Sequence, residues 1–158
     1  MKKLLFALMM MVFSAECYAQ YEKDRTYWGA SLSDLNLSDN GINGFHIGVG
    51  AKVGYFVSNK TLLFAQANYT YYESFFDIFE AGAFGRYYFM NNGGLYTGIG
   101  VNLMWFEGVD VEPSIHVGYS FPLNKYVVVE PELYYNQSIA DHSNYSTLGF
   151  RLGFGIVL

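Results

Sequence analysis

The sequence predicts an all-β chain, folded as one eight-stranded antiparallel up-and-down transmembrane β-barrel. Three observations carry this reading. From residue 20 onward the chain divides into eight runs of about ten residues separated by turn signals, the repetitive signature of a barrel wall. Apolar and polar residues alternate along those runs with the period of two that a strand imposes. Across runs two to eight every charged residue, namely Lys52, Glu80, Arg86, Glu112, Glu130, Glu132 and Arg151, falls on the non-apolar phase. Seven independent placements would agree about once in a hundred trials by chance, so the alternation is a designed wall. Composition agrees: charged residues make up 15% of the chain, against roughly 25% in a typical soluble domain. Aromatic residues make up 20%, and there are 17 Gly in 158 residues, a length that suits one domain.

Residues 1–19 read as a secretory signal peptide, and residues 20–158 as the barrel domain. Lys2 and Lys3 form a positive start, Leu4 to Phe13 is unbroken apolar sequence, and Cys17 and Ala19 are small residues suited to cleavage before Gln20. The apolar run is about 10 residues, half the length a membrane-spanning helix needs. A lipoprotein alternative would acylate Cys17, with Glu16 standing where such signals carry a small residue. Beyond the signal no Cys remains, which excludes disulfides, thiolate metal sites and a Cys nucleophile. Taking Lys2, Lys3 and Glu16 away from nine basic and fourteen acidic residues leaves seven against thirteen. That acidity argues against a nucleic-acid partner.

The eight predicted strands are Thr26–Asn36, Phe45–Val57, Leu62–Tyr72, Phe79–Phe89, Leu95–Phe106, Val111–Phe121, Tyr126–Tyr135 and Thr147–Leu158. The first is the least regular. Trp28, Ala30 and Leu32 fit one phase while Leu35 and Leu37 fit the other, so a bulge or an early end is expected near Ser33. The second, fifth and eighth alternate cleanly. Pro131 interrupts the seventh without a ladder donor, and a local bulge is expected there. Ser58–Lys60, Met90–Gly94 and Pro122–Lys125 are tight turns rich in Asn, Gly and Pro. Leu37–Gly44, Glu73–Ile78, Glu107–Asp110 and Asn136–Ser146 form the other set of connections, two of them clearly longer. Short periplasmic turns and longer extracellular loops are usual in membrane barrels, so both termini are expected on the periplasmic side.

Alternation alone leaves open a soluble ligand-binding barrel with its apolar phase inside. Three features favour the inverted arrangement. The apolar phase carries too many rings for an eight-stranded interior. The polar phase is mostly Gly, Ser and Asn, a poor soluble surface but a suitable filling for a narrow lumen. The outward Tyr and Trp gather at two rims, with Tyr55, Tyr87 and Tyr119 at one and Tyr69, Tyr71, Trp105 and Tyr135 at the other, as interfacial girdles do.

The closing residues Arg151-Leu152-Gly153-Phe154-Gly155-Ile156-Val157-Leu158, together with the strand pattern, resemble the small outer-membrane β-barrel family, which is similar to outer membrane protein X and the transmembrane domain of outer membrane protein A. Aromatic residues are usual in that family where Ile156 and Leu158 stand. The resemblance implies an outer-membrane location in a Gram-negative envelope, contact with membrane lipid and lipopolysaccharide, and recognition of the C-terminal strand by the outer-membrane assembly machinery. It also implies a role in surface interaction or envelope integrity. The expected state is a monomer, with no cofactor.

Two constellations could carry chemistry. Lys52, Glu80, Arg86, Glu112, His116, Glu130, Glu132 and Arg151 share the inward phase. Buried charges are costly unless paired, so they are expected to form a structural salt-bridge network across the lumen; a gated narrow pore is the alternative. Glu130 and Glu132 make a weak acid/base pair, because Arg151 is expected to hold both ionised. The loop Asp141-His142-Ser143-Asn144 resembles the lipid A deacylase family of eight-stranded barrels, which spaces His and Ser by one residue. Here His142 and Ser143 are adjacent and would point to opposite faces of a strand, breaking the nucleophile–base bond. A lipid A-modifying enzyme is therefore the alternative, and a non-enzymatic barrel the main expectation. The signal-peptide reading has a direct check. Intact mass of the exported protein should match a chain starting at Gln20, and Cys17→Ala should leave that mass unchanged.

Overall fold

The computed structural model describes residues 21–33, 46–72, 77–90, 94–106, 108–140 and 146–158. Period-two alternation becomes eight antiparallel strands: β1 Thr26–Ser33, β2 His46–Ser58, β3 Thr61–Tyr72, β4 Ile78–Tyr88, β5 Gly94–Phe106, β6 Gly108–Pro122, β7 Val127–Asn136 and β8 Thr147–Val157. Each strand pairs with its sequence neighbours, and β1 pairs with β8, from Tyr27 opposite Val157 to Ser33 opposite Arg151, so the barrel is closed. A hydrogen bond from Thr26 N to Leu158 O sets both ends of the described chain at one mouth. The opposite mouth is the loop end.

The phases fall as the inverted reading expects. Val49, Val53, Leu63, Ile99, Ile115, Leu133 and Phe154 point outward, while the charged residues of the wall point in. The rim aromatics Tyr55, Tyr87 and Tyr119 at the terminal end, and Tyr69, Tyr71 and Trp105 at the loop end, are exposed. No helix among the described residues is long and apolar enough to cross a membrane; the apolar belt on the strands is the lipid-facing surface.

The strands differ from expectation in three places. β5 and β6 run to Phe106 and from Gly108, so Asp110, expected in a loop, is a strand residue. Pro131 makes no bulge. The β6–β7 register is the same on either side, with Gly118 opposite Glu132 and Phe121 opposite Val129, and only the two pairs between them are missing from the ladder. The carbonyl of Pro131 faces β6, close to Gly118. A residue's N–H and C=O point to the same side of a strand, so the missing donor removes bonds on that side alone. Pairing with β8 continues through Pro131 opposite Leu152. The irregularity expected beyond Ser33, with Leu35 and Leu37, lies outside the described residues. A bulge occurs instead in β2, between Phe56 and Ser58.

The interior also departs from a Gly, Ser and Asn filling. Tyr21, Tyr27, Phe56, Phe64, Phe84, Tyr88, Tyr96 and Tyr134 are buried within the barrel. Tyr21 stacks on Tyr88 with ring centroids 4.1 Å apart, and Phe64 on Phe84 at 5.2 Å. The wall makes room by omitting side chains opposite the rings. A Cβ on Gly118 would stand 2.4 Å from the Tyr96 ring, and one on Gly98 would stand 2.2 Å from His116 Nε2. Rings on the polar phase thus fit an eight-stranded barrel because glycines face them.

The terminal mouth is closed by residues preceding β1. Lys60 N donates to Tyr21 O at 2.9 Å, Asp24 N to Phe56 O at 2.9 Å, and Tyr88 N to Lys60 O at 2.8 Å. These bonds hold Lys60 in a left-handed turn conformation, φ 74°, that a lysine would otherwise avoid.

A lipid-facing wall predicts an asymmetric response to charge. Ile99, 69% exposed on β5, is the most outward large apolar residue among those described. Ile99→Arg should lower stability by about 2–4 kcal/mol in urea titrations of the vesicle-inserted barrel, whereas Ile99→Leu should leave the midpoint nearly unchanged.

Candidate functional site: the lumen charge network

The inward phase of β2, β4, β6, β7 and β8 brings six of the eight predicted residues together at mid-height. Glu132 on β7 is the hub. It lies opposite Arg151 of β8 in register, and Arg151 Nη1 donates to its Oε1 at 3.2 Å. From across the barrel Arg86 Nη2 donates to Glu132 Oε2 at 2.6 Å, and Lys52 Nζ lies 3.5 Å from Oε1. Glu130, two residues earlier on the same face, takes the other arm of Arg86 at 2.7 Å. One guanidinium therefore bridges two carboxylates, a use of the planar fork that a lysine could not match.

Arg151 was expected beside both carboxylates. It reaches Glu132 and Gln66 Oε1, the latter at 2.7 Å. Glu130 is satisfied by groups that composition did not single out. Tyr27 donates to its Oε2 at 2.7 Å, and Tyr88 and Ser120 donate to its Oε1 at 3.1 and 3.0 Å. Since the single Ser120 proton goes to Glu130, Tyr21 is the donor in the 2.5 Å contact between its hydroxyl and Ser120 Oγ. Tyr96 completes the set, donating to Glu132 Oε2 at 3.1 Å. The tyrosines were readable in one respect: Tyr27, Tyr88 and Tyr96 share the phase of the charges. Tyr21 precedes β1 and carries no strand signal.

Rings also cover the cations. The Arg86 guanidinium carbon sits 4.1 Å from the Tyr96 ring centroid, and that of Arg151 4.4 Å from the Tyr134 centroid. Such contacts are favourable where the cation is desolvated, and Arg86 is only 1% exposed. His116 is packed among Phe64, Phe84 and Tyr96. Its Nε2 is 4.0 Å from Glu132, at the edge of the network rather than inside it.

Glu80 and Glu112 do not join. They lie beside each other nearer the loop end, and Asn68 donates to Glu80 Oε2 at 3.3 Å. Among the described residues Glu112 makes no ion pair. The expected single network is thus a mid-lumen network plus a separate carboxyl pair, because Gly82 and Phe84 occupy the inward positions between Glu80 and Arg86 along β4, about 20 Å of rise that a side chain cannot span. No group of three or more His, Cys, Asp or Glu suited to a metal occurs among the described residues. His142 and Ser143, the pair weighed for a deacylase-like site, lie outside the described residues. At the loop end Asp110 accepts from Ser138 Oγ at 2.5 Å and from Ala140 N at 3.1 Å, tying the segment after β7 to β6.

An inverted, closed, eight-stranded wall around a packed ionic lumen defines the chain as a small transmembrane β-barrel. Solved structures share that fold. The N-terminal β-barrel domain of OprF from Pseudomonas aeruginosa is 15% identical with a TM-score of 0.65, over 86% of this chain and 98% of that one. Ail, the attachment invasion locus protein of Yersinia pestis, is 14% identical with a TM-score of 0.55, over 86% of this chain and 99% of that one. A de novo designed transmembrane β-barrel is 12% identical with a TM-score of 0.55, over 87% of this chain and 98% of that one. A designed barrel among the matches makes the point that likeness at this level describes architecture. No protein-family model matches the sequence, and no curated protein matches it.

The hub makes a graded prediction. Glu132→Ala leaves Lys52, Arg86 and Arg151 short of a buried counter-charge and should cost about 3–5 kcal/mol. Glu132→Gln, which keeps acceptor capacity, should cost less. Urea unfolding in vesicles measures both.

Proposed function

We propose that this chain is a non-enzymatic integral outer-membrane protein. In this reading its lumen is sealed and its loops Leu37–Gly44 and Asn136–Ser146 act in surface interaction or envelope integrity. The observation that carries the reading is the inversion itself: an apolar exterior around an interior closed at mid-height by Arg86, Glu130, Glu132 and Arg151. A guanidinium held by two carboxylates and covered by rings fills the interior at mid-height, which supports a role for the interior in stability rather than transport. What remains available to a partner is the rim. Ail, whose fold this chain shares, is an attachment invasion locus protein, and attachment through loops is the role we extend to this chain. Termini on the periplasmic side, lipopolysaccharide around the belt and a monomeric state belong to the same reading. Closure supports the last, because a barrel offers no strand edge for a second copy.

The mature chain lacks Cys, which makes the orientation easy to test. In intact cells a membrane-impermeant thiol reagent should label Asn40→Cys and leave Asn124→Cys unlabelled; the reverse pattern would invert the topology. In planar bilayers the purified barrel should produce no conductance steps, and reproducible unitary currents would replace this reading with that of a pore.

A further inference from the structure

The basic residues of the barrel domain are sorted along its axis. Nine Lys and Arg, less Lys2 and Lys3, leave seven. Lys52, Arg86 and Arg151 lie in the lumen against Glu130 and Glu132. The other four, Lys23, Arg25, Lys60 and Lys125, stand at the terminal mouth, before β1 and in the turns that follow β2 and β6. The sequence places no Lys or Arg on the loop side. Of the thirteen acids beyond the leader, Glu22 and Asp24 lie at the terminal mouth and Glu130 and Glu132 in the lumen network, so nine fall on the loop side.

Three of the four rim cations stand next to a girdle position. Arg25 precedes Thr26, which is opposite Tyr55. Lys60 precedes Thr61, which is opposite Tyr87. Lys125 precedes Tyr126, and its Nζ lies 4.7 Å from the centroid of that ring. Tyr55, Tyr87 and Tyr126 are all exposed. Interfacial tyrosines mark the depth at which acyl chains give way to headgroups. A strand rises about 3.3 Å per residue, so these long side chains extend their charges into the headgroup layer.

One corner of the rim is also built in advance. Lys60 N donates to Tyr21 O at 2.9 Å, and Lys23 N donates to Asn59 Oδ1 at 3.0 Å. The segment carrying Lys23 is thereby fastened to the turn carrying Lys60, and two ammonium groups rise from backbone that needs no further ordering. The acids of this corner have partners of their own: Asp24 accepts from the Tyr55 hydroxyl at 2.6 Å, and Glu22 lies 4.0 Å from Arg25.

We propose that the terminal rim, centred on Lys23 and Lys60, is a docking surface for the phosphate of anionic phospholipid headgroups. Ammonium groups bind such phosphates as point charges. A zwitterionic headgroup carries the same phosphate beside a compensating cation, so the preference is for lipid with net negative charge. The loop end, acidic and without Lys or Arg, repels that lipid, and the barrel therefore gathers it at one end only. This surface is independent of whether the loops act in attachment.

The two tryptophans supply one reporter for each end. Trp28, on β1 two residues from Thr26, and Trp105, at the loop rim, both face outward and are exposed. Trp105→Phe leaves Trp28 alone, and Trp28→Phe leaves Trp105 alone. With the mature barrel in phosphatidylcholine vesicles, brominated phosphatidylglycerol should quench Trp28 with a local association constant about fivefold or more above that of brominated phosphatidylcholine. Trp105 should show no such preference. Salt at about 1 M, where the screening length falls to about 3 Å, should remove the preference at Trp28, and so should Lys23→Gln combined with Lys60→Gln. Heat-modifiable electrophoretic mobility verifies that each variant is folded. Should the double variant fail to fold, Lys23→Gln alone, at a position outside every strand, should still lower the preference. Equal quenching of Trp28 by the two lipids in the parent overturns the proposal. An equal preference at Trp105 overturns it as well, because the rim would then sort nothing. A preference that survives the lysine substitutions undiminished also overturns it and places the lipid on other groups.

Discussion

In hydrocarbon no water is available to satisfy a backbone N–H or C=O, so a sheet that crosses a membrane must have no free edge. The pairing of β1 with β8 meets that constraint, and much of the rest follows from it. Closure of eight strands gives a cylinder too narrow for an aqueous channel. Because the wall alternates, the residues that cannot face lipid must be packed into that narrow space. A charge deep in the lumen is then shielded from water and is costly unless paired. The ladder also explains why Pro131 is tolerated: it withholds bonds from β6 while pairing with β8 persists, so the cylinder stays closed.

The mid-lumen network is best understood as a device for register. Buried ion pairs give little net stability against an apolar filling, because desolvation offsets attraction. They are unforgiving of misplacement, however. A slip of one residue between β7 and β8 would send Arg151 or Glu132 into lipid along with every neighbour on its face. Arg86, reaching from β4 to two carboxylates on β7, ties together strands that share no ladder. The aromatic residues add the packing that charges cannot supply, and the glycines of the opposite wall set where each ring can lie. Tyr21 extends the arrangement beyond the strands: through Ser120 it connects the segment before β1 to Glu130.

Much of this was legible in the residues. Period-two alternation placed Val49, Ile99 and Phe154 outside and Lys52, Arg86 and Glu132 inside, since side-chain direction on a strand depends only on parity. Aromatic girdles were legible for a similar reason, because rim position follows from distance to a turn. The interior rings were underestimated. Tyr88 and Tyr96 have the parity of the charges, but parity does not report that Gly118 leaves a space the size of a ring opposite Tyr96.

The sequence by itself determined that the chain is an eight-stranded barrel turned inside out, because turn chemistry and alternation are local properties, readable within about ten residues. Only the tertiary structure decided who meets whom across the lumen. Arg86 and Glu132 stand three strands apart around the barrel, and their contact depends on how closure brings opposite walls together. The same geometry detached Glu80 and Glu112 from the network and set Asn102 opposite Glu112, since height along the axis is fixed by the stagger of all eight strands at once.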